Sequence, residues 1–361
     1  MRHVIAWLSA LVLLLLAGPM LRAAEPAAAP ASQVRFLDAA AARKVFASVQ
    51  AGEKDTADNY FDHLMPLEMA AKTSAPMPSG TLEEQRAECR RRYQAAVLEF
   101  TPEEQSALRW YASGMDEGLA KDYPLLARLP WNLIKVSDKI EGDMSWTRGD
   151  CIVLSAGEVG MLVDAQSASR TKNTLAAGEL LVHEHVHVLQ RSQPTLFDSL
   201  YKEHWGFLHP DRIEGNAWLD EHQIVNPDAP DLRWVFPVRT GEKVRYIWPR
   251  VIFPDTKGAP RFPGDMKSVA VTVEPAGDGF RVVSGADGKP VLEDLDGVAE
   301  YARALAPSTY TIHPNEASAD LFCALLIFDY FTPRQRISAE DVARTEKELA
   351  PYREWFRAHL K

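Results

Sequence analysis

Cysteine is scarce in this chain, and its scarcity excludes one class of small exported protein. The 361 residues contain three cysteines, Cys89, Cys151 and Cys323. A fold held together by disulfides needs several pairs, whereas an oxidising compartment would here allow one bridge and leave one thiol. Cys323 lies in an apolar run and is expected to be a small buried side chain, while pairing between Cys89 and Cys151 stays open.

Positively charged side chains are also fewer than negatively charged ones. The chain carries 40 Lys and Arg side chains against 50 Asp and Glu side chains, a net charge of −10 at pH 7. Nucleic-acid binding depends on basic surfaces that neutralise phosphates, so we expect no nucleic-acid partner for an acidic chain of this kind.

The first 23 residues have the pattern of a secretory signal peptide. A basic start at Arg2 and His3 is followed by the apolar run 4–20 and by a small-residue exit at Ala23. The run is short for a membrane span, and no lipid-attachment cysteine follows it. We therefore expect cleavage near Ala23 and a periplasmic or secreted protein without a stable membrane anchor. Removal of 1–23 leaves 38 basic and 50 acidic side chains, a net charge of −12.

Composition divides the rest of the chain into five parts. Residues 24–33 form a low-complexity linker, and 34–135 are mostly helical in pattern. Residues 136–202 hold short strand patterns and an apolar helix, 203–297 are rich in prolines, aromatics and strand patterns, and 298–361 are again helical. These patterns predict the α+β class, with a mainly helical core, a small sheet and a β-rich insertion. Oligomeric state stays open.

The segment 180–190 contains the chemistry-bearing motif His-Glu-x-x-His, with His183, Glu184 and His187. On a helix, residues four apart share a face with Cβ atoms roughly 5–6 Å apart, so both imidazoles can bind one zinc ion. Glu184 is rotated by about 100° and can accept a proton from water at the metal. The alternative is a pair of hydrogen-bonded core histidines. His185 faces away and is expected to be structural.

A catalytic zinc site needs a third protein ligand. The metzincin pattern fails, because Gln190 and Gln193 occupy the positions of its glycine and third histidine. Several other side chains are possible from sequence distance alone, namely Glu203, His204, His209, Glu214 and His222.

Glu316 and Asp320 have more support as site residues, because they are four apart on a predicted helix. One carboxylate can bind the metal while the other accepts the free ring N–H of a ligand histidine. The alternative is an exposed acid pair, but the apolar neighbours favour buried carboxylates that need partners.

The segment 315–320, Asn-Glu-Ala-Ser-Ala-Asp, resembles the Asn-Glu-x-x-Ser-Asp motif of the thermolysin-like gluzincins. The resemblance covers roughly 175–195 and 308–331. It implies a zincin-type core in which His183, His187 and Glu316 bind Zn²⁺, Glu184 is the general base and Asp320 supports a ligand histidine. The ligands His187 and Glu316 lie 129 positions apart, farther than in thermolysin, so the insertion must loop out.

Together with the expected signal peptide, the resemblance implies an exported zinc metallopeptidase that hydrolyses peptides or proteins with zinc-activated water. Tyr310 and His313 are the nearest candidates to stabilise the oxyanion. The predicted strand Cys151–Ser155 is a candidate edge along which a peptide could pair. The alternative from a different class is a zincin-fold binding or scaffold protein with structural zinc. An intact Glu184 favours catalysis.

Overall fold

Two β-sheets and the helices that flank them organise the described chain. The structure is a computed structural model that describes residues 33–47, 60–168, 177–331 and 338–361. The expected signal peptide and all but the last residue of the linker lie outside these ranges. The described helices and sheets confirm the predicted α+β class.

The first sheet is mixed and is built around one central strand. Its strands are β1 (Val34–Phe36), β2 (Val97–Leu98), β3 (Trp131–Val136), β4 (Trp146–Arg148) and β5 (Cys151–Ser155). The central strand β3 runs parallel to β1 and β5. β2 pairs antiparallel with the end of β3, and β4 pairs antiparallel with β5 at the end of the strand order.

Both faces of this sheet are covered, and every residue of β3, β4 and β5 is buried. Alternate side chains of a strand point to opposite faces. Leu133, Ile152 and Leu154 accordingly pack with the helices that carry the predicted motifs, whereas Ile134 and Val153 pack with the amino-terminal helices. The sheet therefore separates the amino-terminal helical layer from the layer that holds the candidate site.

The helices fall on both sides of this sheet. They are α1 (Ala39–Ala47), α2 (Tyr60–His63), α3 (Pro66–Lys72), α4 (Leu82–Ala95), α5 (Pro102–Leu119), α6 (Pro124–Ala127), α7 (Ala156–Ala168), α8 (Glu179–Ser192), α9 (Ala217–His222), α10 (Ala299–Leu305), α11 (Pro314–Leu326) and α12 (Ala339–His359). Thr101 caps α5 and exchanges hydrogen bonds with Glu104, as a capping box does. No helix within the described ranges is long and apolar enough to cross a membrane.

The second sheet lies between the two motif segments in the chain. It contains β6 (Ile213–Glu214), β7 (Gln223–Ile224), β8 (Phe236–Thr240), β9 (Lys243–Ile252), β10 (Lys267–Ala276), β11 (Gly279–Val282) and β12 (Leu292–Asp294). β10 pairs antiparallel with β9, β11 and β12. The β10–β11 hairpin turns through Gly277 at a φ of 61°, a conformation that glycine adopts without strain.

The two motif helices, α8 and α11, pack directly against each other, and α8 also packs against β4 and β5. Part of their contact is apolar: Leu181, Val186 and Leu321 are wholly or almost wholly buried in one cluster. Burial of such a side chain contributes about 1.5–3 kcal/mol relative to exposure. The packing therefore fixes the separation of α8 and α11, which carry the candidate ligands.

The cysteines do not form a disulfide. Cys89, Cys151 and Cys323 are all buried and free. Cys89 and Cys151 lie in the same apolar cluster, and Cys323 packs in the cluster that contains α8 and α11. Cys89 and Cys151 are therefore two separate buried thiols and not a disulfide pair.

Candidate metal centre

Helix α8 presents two imidazoles on one face. Nine of its fourteen residues are buried, which agrees with its apolar sequence. The rings of His183 and His187 lie with centroids 4.7 Å apart. The helix begins after Gly178.

Helix α11 brings Glu316 to this pair of histidines. Oε2 of Glu316 lies 3.2 Å from Nε2 of His183, and Oε1 lies 3.6 Å from Nε2 of His187. One ligand atom from each of the three side chains lies within 4.8 Å of the other two, close enough for one metal ion. The other third-ligand candidates are not members of this group: Glu203, His204, His209, Glu214 and His222.

Nε2 of His187 is oriented as a metal ligand would be. The other ring nitrogen, Nδ1, lies 2.6 Å from Oε1 of Gln190. The Gln190 amide is oriented by its Nε2, which donates to the carbonyl oxygen of Asn315 at 3.1 Å, so Oε1 is the acceptor for His187. Among the described residues, Nε2 of His187 is buried without a hydrogen-bond partner. A buried nitrogen facing a carboxylate in this way fits a cation between the two.

Electrostatics in the site also favour a cation. Burial tends to raise the pKa of Glu316, but His187 and His183 outweigh it and hold that pKa well below its usual range. Burial tends to lower the pKa of His187, yet Glu316 and Asp228 raise it to about 10. Three buried carboxylates, those of Glu184, Asp228 and Glu316, thus lie near the His187 imidazole, and buried negative charge requires such compensation.

Glu184 lies beside the cluster, as the motif predicts. Its Oε2 accepts a hydrogen bond of 3.0 Å from the hydroxyl of Thr147 on β4. Burial, followed by the nearby charge of Asp228, raises the pKa of Glu184 well above its usual value. A carboxylate held by one hydroxyl in a dry environment is suited to accept a proton from a neighbouring group.

The insertion contributes two further side chains to the site. Nδ2 of Asn226 donates to Oε1 of Glu316 at 2.6 Å. Oδ1 of Asp228 accepts from the backbone N–H of Thr147 at 2.7 Å. The sequence of 226–231 indicates only a turn-rich loop, because spacing along the chain does not reveal contacts made across 90 residues.

Of the two oxyanion candidates, Tyr310 is the one whose ring lies next to His183 and is partly exposed. Its ring centroid lies 5.8 Å from that of His183, and half of the residue is exposed. Burial of the rest of the ring, followed by the charge of Glu316, raises the pKa of Tyr310 to about 12. The phenol is therefore protonated at neutral pH and can donate a hydrogen bond.

His313 does not fit the predicted oxyanion role, because both of its ring nitrogens are engaged. Nδ1 accepts from the backbone N–H of Asn315 at 3.0 Å and caps α11. Nε2 then carries the proton and donates to the carbonyl oxygen of Asp231 at 2.8 Å. Burial lowers the pKa of His313 to about 4, which agrees with a neutral ring in a structural position.

Asp320 also differs from its predicted role. Its Oδ2 accepts from the hydroxyl of Ser308 at 2.8 Å and from the backbone N–H of Thr309 at 2.9 Å, rather than from a ligand histidine. Four-residue spacing places it on the same side of α11 as Glu316 but does not determine its partner. It holds the turn that leads to Tyr310, and the supporting bond to a ligand histidine comes from Gln190 instead.

The strand predicted as a peptide-binding edge is internal. β5 pairs with β3 on one side and with β4 on the other. The outer side of β4 is also engaged at Thr147, whose N–H donates to Asp228 and whose carbonyl accepts from Arg191 at 3.0 Å. A peptide can pair there only if Asp228 moves.

His185 confirms the expectation that it faces away from the motif pair. Its ring stacks on that of Trp131, with centroids 3.8 Å apart, and Nε2 lies 3.1 Å from the carbonyl oxygen of Leu126. Burial lowers its pKa to about 4, so the ring is neutral and structural.

Comparisons with known proteins add nothing to this geometry. The chain matches no protein-family model, no curated protein and no solved structure. The kind of site is therefore inferred from its own side chains.

Proposed function

We propose that this chain is an exported zinc-dependent metallopeptidase with a zincin-type core of the gluzincin kind. The observation that supports the proposal best is the convergence of His183, His187 and Glu316 from two helices. Two imidazoles and one carboxylate form a ligand set of catalytic zinc sites, which keep a further position for water or substrate. Glu184, buried beside this set, supplies the base that hydrolysis needs.

The proposed reaction is hydrolysis of a peptide bond. Zinc held by the three side chains would act as a Lewis acid that polarises the peptide carbonyl and lowers the pKa of water. Glu184 accepts a proton from the attacking water, whose oxygen bonds to the carbonyl carbon. The carbon–nitrogen bond then breaks, and Glu184 passes the same proton to the leaving nitrogen. The Tyr310 hydroxyl donates to the carbonyl oxygen as negative charge develops there.

The second candidate function is a binding or scaffold protein with structural zinc. One observation favours it: His187, Glu184 and Glu316 each expose less than a tenth of their surface. Asp228 also covers the outer side of β4 at Thr147. Glu184 argues against this candidate, because a structural zinc site has no need of a buried carboxylate next to its ligands.

Metal removal tests the two candidates. We expect the zinc-loaded protein to cleave members of a mixed peptide library, the chelator-treated protein to lose this activity, and added zinc to restore it. The measurement is product formation by mass spectrometry with zinc content determined in parallel. Cleavage that continues at the same rate in the metal-free protein contradicts the proposal. A fully zinc-loaded protein that cleaves no peptide favours the binding protein.

A further inference from the structure

We propose that Asn226 is a positioning residue that orients the Glu316 carboxylate toward the metal, and that Glu68 and Lys72 hold Asn226 in place. The inference rests on the proposed metal site and extends it to the amino-terminal helices. It assigns a role to Asn226, the residue at which the insertion contacts the candidate metal ligand Glu316.

The side-chain amide of Asn226 has a defined orientation. Its Oδ1 accepts from the backbone N–H of Asp228 at 2.9 Å, and a backbone N–H can only donate. Its Nδ2 must therefore face Glu316, and it donates to Oε1 at 2.6 Å. The turn between Asn226 and Asp228 thus directs a donor, rather than an acceptor, at the candidate ligand.

A donor on one carboxylate oxygen affects how that carboxylate can bind a metal. Hydrogen bonding to Oε1 occupies one of its lone pairs and leaves Oε2, which lies 3.2 Å from Nε2 of His183. The same bond limits rotation of the Glu316 side chain before metal arrives. Groups that orient metal ligands in this way change metal affinity by roughly 10–100-fold when they are removed.

The backbone that carries Asn226 is held at the preceding residue by a buried ion pair on α3. The N–H of Val225 donates to Oε1 of Glu68 at 2.6 Å, and its carbonyl accepts from Nζ of Lys72 at 2.6 Å. Glu68 and Lys72 lie 3.1 Å apart and expose at most 1% of their surface. Hydrogen bonds to charged groups are about twice as strong as neutral ones, so both polar groups of Val225 are firmly fixed.

The Lys72 ammonium is itself held from a second direction. Glu141 lies 3.5 Å from its Nζ, and Glu141 in turn accepts hydrogen bonds from the hydroxyls of Tyr60 and Tyr93. The path from this network to the metal ligand therefore consists of direct contacts: Lys72 to Val225, the peptide bond to Asn226, and Asn226 to Glu316. No gap in this path has to be bridged by water.

The test compares Asn226→Ala and Asn226→Ser with the control Asn216→Ala. Serine can keep the turn hydrogen bond to the N–H of Asp228 but is too short to reach Glu316, so it isolates the contact to the ligand. Asn216 is a matched control in the same insertion. Its Oδ1 caps α9 at Trp218 and its Nδ2 donates to Ser284 at 2.8 Å, away from the candidate metal centre.

Two measurements are informative: zinc affinity by competition with a chelator, and the visible absorption spectrum of the Co²⁺-loaded protein. We expect both Asn226 variants to bind zinc roughly 10–100-fold more weakly than wild type and to show a changed Co²⁺ spectrum. Asn216→Ala should keep wild-type affinity and spectrum, even if its thermal stability falls. A purely structural role of Asn226 would lower stability and leave the Co²⁺ spectrum unchanged.

The outcomes separate this inference from the proposed function. If wild type binds zinc and Asn226→Ser has the same affinity and Co²⁺ spectrum, the positioning role is wrong and the metal site stands. If wild type binds no zinc, the metal site itself is wrong and the inference falls with it.

Discussion

Glu184→Gln is expected to bind zinc as tightly as wild type and to hydrolyse peptides about 10²–10⁴-fold more slowly, the usual contribution of general-base catalysis. Glutamine has the size of glutamate and keeps an oxygen that can accept from the hydroxyl of Thr147, now 3.0 Å from Oε2 of Glu184. It cannot accept the proton of water. The substitution therefore removes the base and preserves the packing of α8.

The measurement is turnover of a peptide substrate by wild type and by Glu184→Gln at equal zinc content. Glu203→Gln is a matched control, because Glu203 is exposed and does not belong to the metal-binding group. Its turnover should equal that of wild type. Equal turnover by wild type and Glu184→Gln would exclude Glu184 as the base and with it the proposed mechanism.

Lys72→Met is expected to lower the free energy of unfolding by about 3–5 kcal/mol, the usual cost of removing one partner from a buried ion pair. In wild type, Nζ of Lys72 lies 3.1 Å from Glu68 and 3.5 Å from Glu141. Methionine fills similar volume but leaves both carboxylates buried without this shared cation. The carbonyl of Val225 loses its donor as well. Urea unfolding of wild type and variant measures the effect.

Lys202→Met is the control for this prediction. Lys202 pairs with Asp198 at 2.7 Å over the same four-residue spacing, but 42% of its side chain is exposed. An exposed pair of this kind contributes about 0–1 kcal/mol. Similar losses in Lys72→Met and Lys202→Met would show that the buried network does not stabilise the fold in the way inferred.

Residues linked by short spacing were predictable from the sequence. The positions of His183, Glu184 and His187 follow from the 3.6-residue turn of an apolar helix. The run of charged side chains on α4 favours an ion-paired helix face, and Arg91 and Arg92 do pair with Glu88 there. In each case the interacting residues lie within one turn of each other, so the local pattern contains the relevant information.

Contacts between distant parts of the chain were not predictable in the same way. Asn226 and Glu316 are neighbours only because the insertion returns to α11. Gln190 lies three residues after His187, which places both on one side of α8, but this spacing does not show that the amide bonds to the His187 ring. Glu68 and Lys72 have the sequence pattern of an exposed helical ion pair. They are buried because other parts of the chain pack over them.

The predicted roles of Asp320 and His313 illustrate a second limit. Helical spacing shows that Asp320 shares a side of α11 with Glu316, but not which group across the interface it meets. In the structure, Asp320 accepts hydrogen bonds from the hydroxyl of Ser308 and from the backbone N–H of Thr309. His313 stands just ahead of the helix, where a side-chain acceptor for the first free N–H groups is favoured, and its ring takes that role.

The most direct test of the metal centre is to count zinc in purified wild type, Glu316→Ala and Glu203→Ala after dialysis against metal-free buffer. Ligand atoms of His183, His187 and Glu316 lie within 4.8 Å of one another, so the proposed function predicts one zinc per wild-type chain. Glu203→Ala should retain this zinc, and Glu316→Ala should lose most of it. Full zinc occupancy in Glu316→Ala, together with loss in Glu203→Ala, would contradict the proposed site.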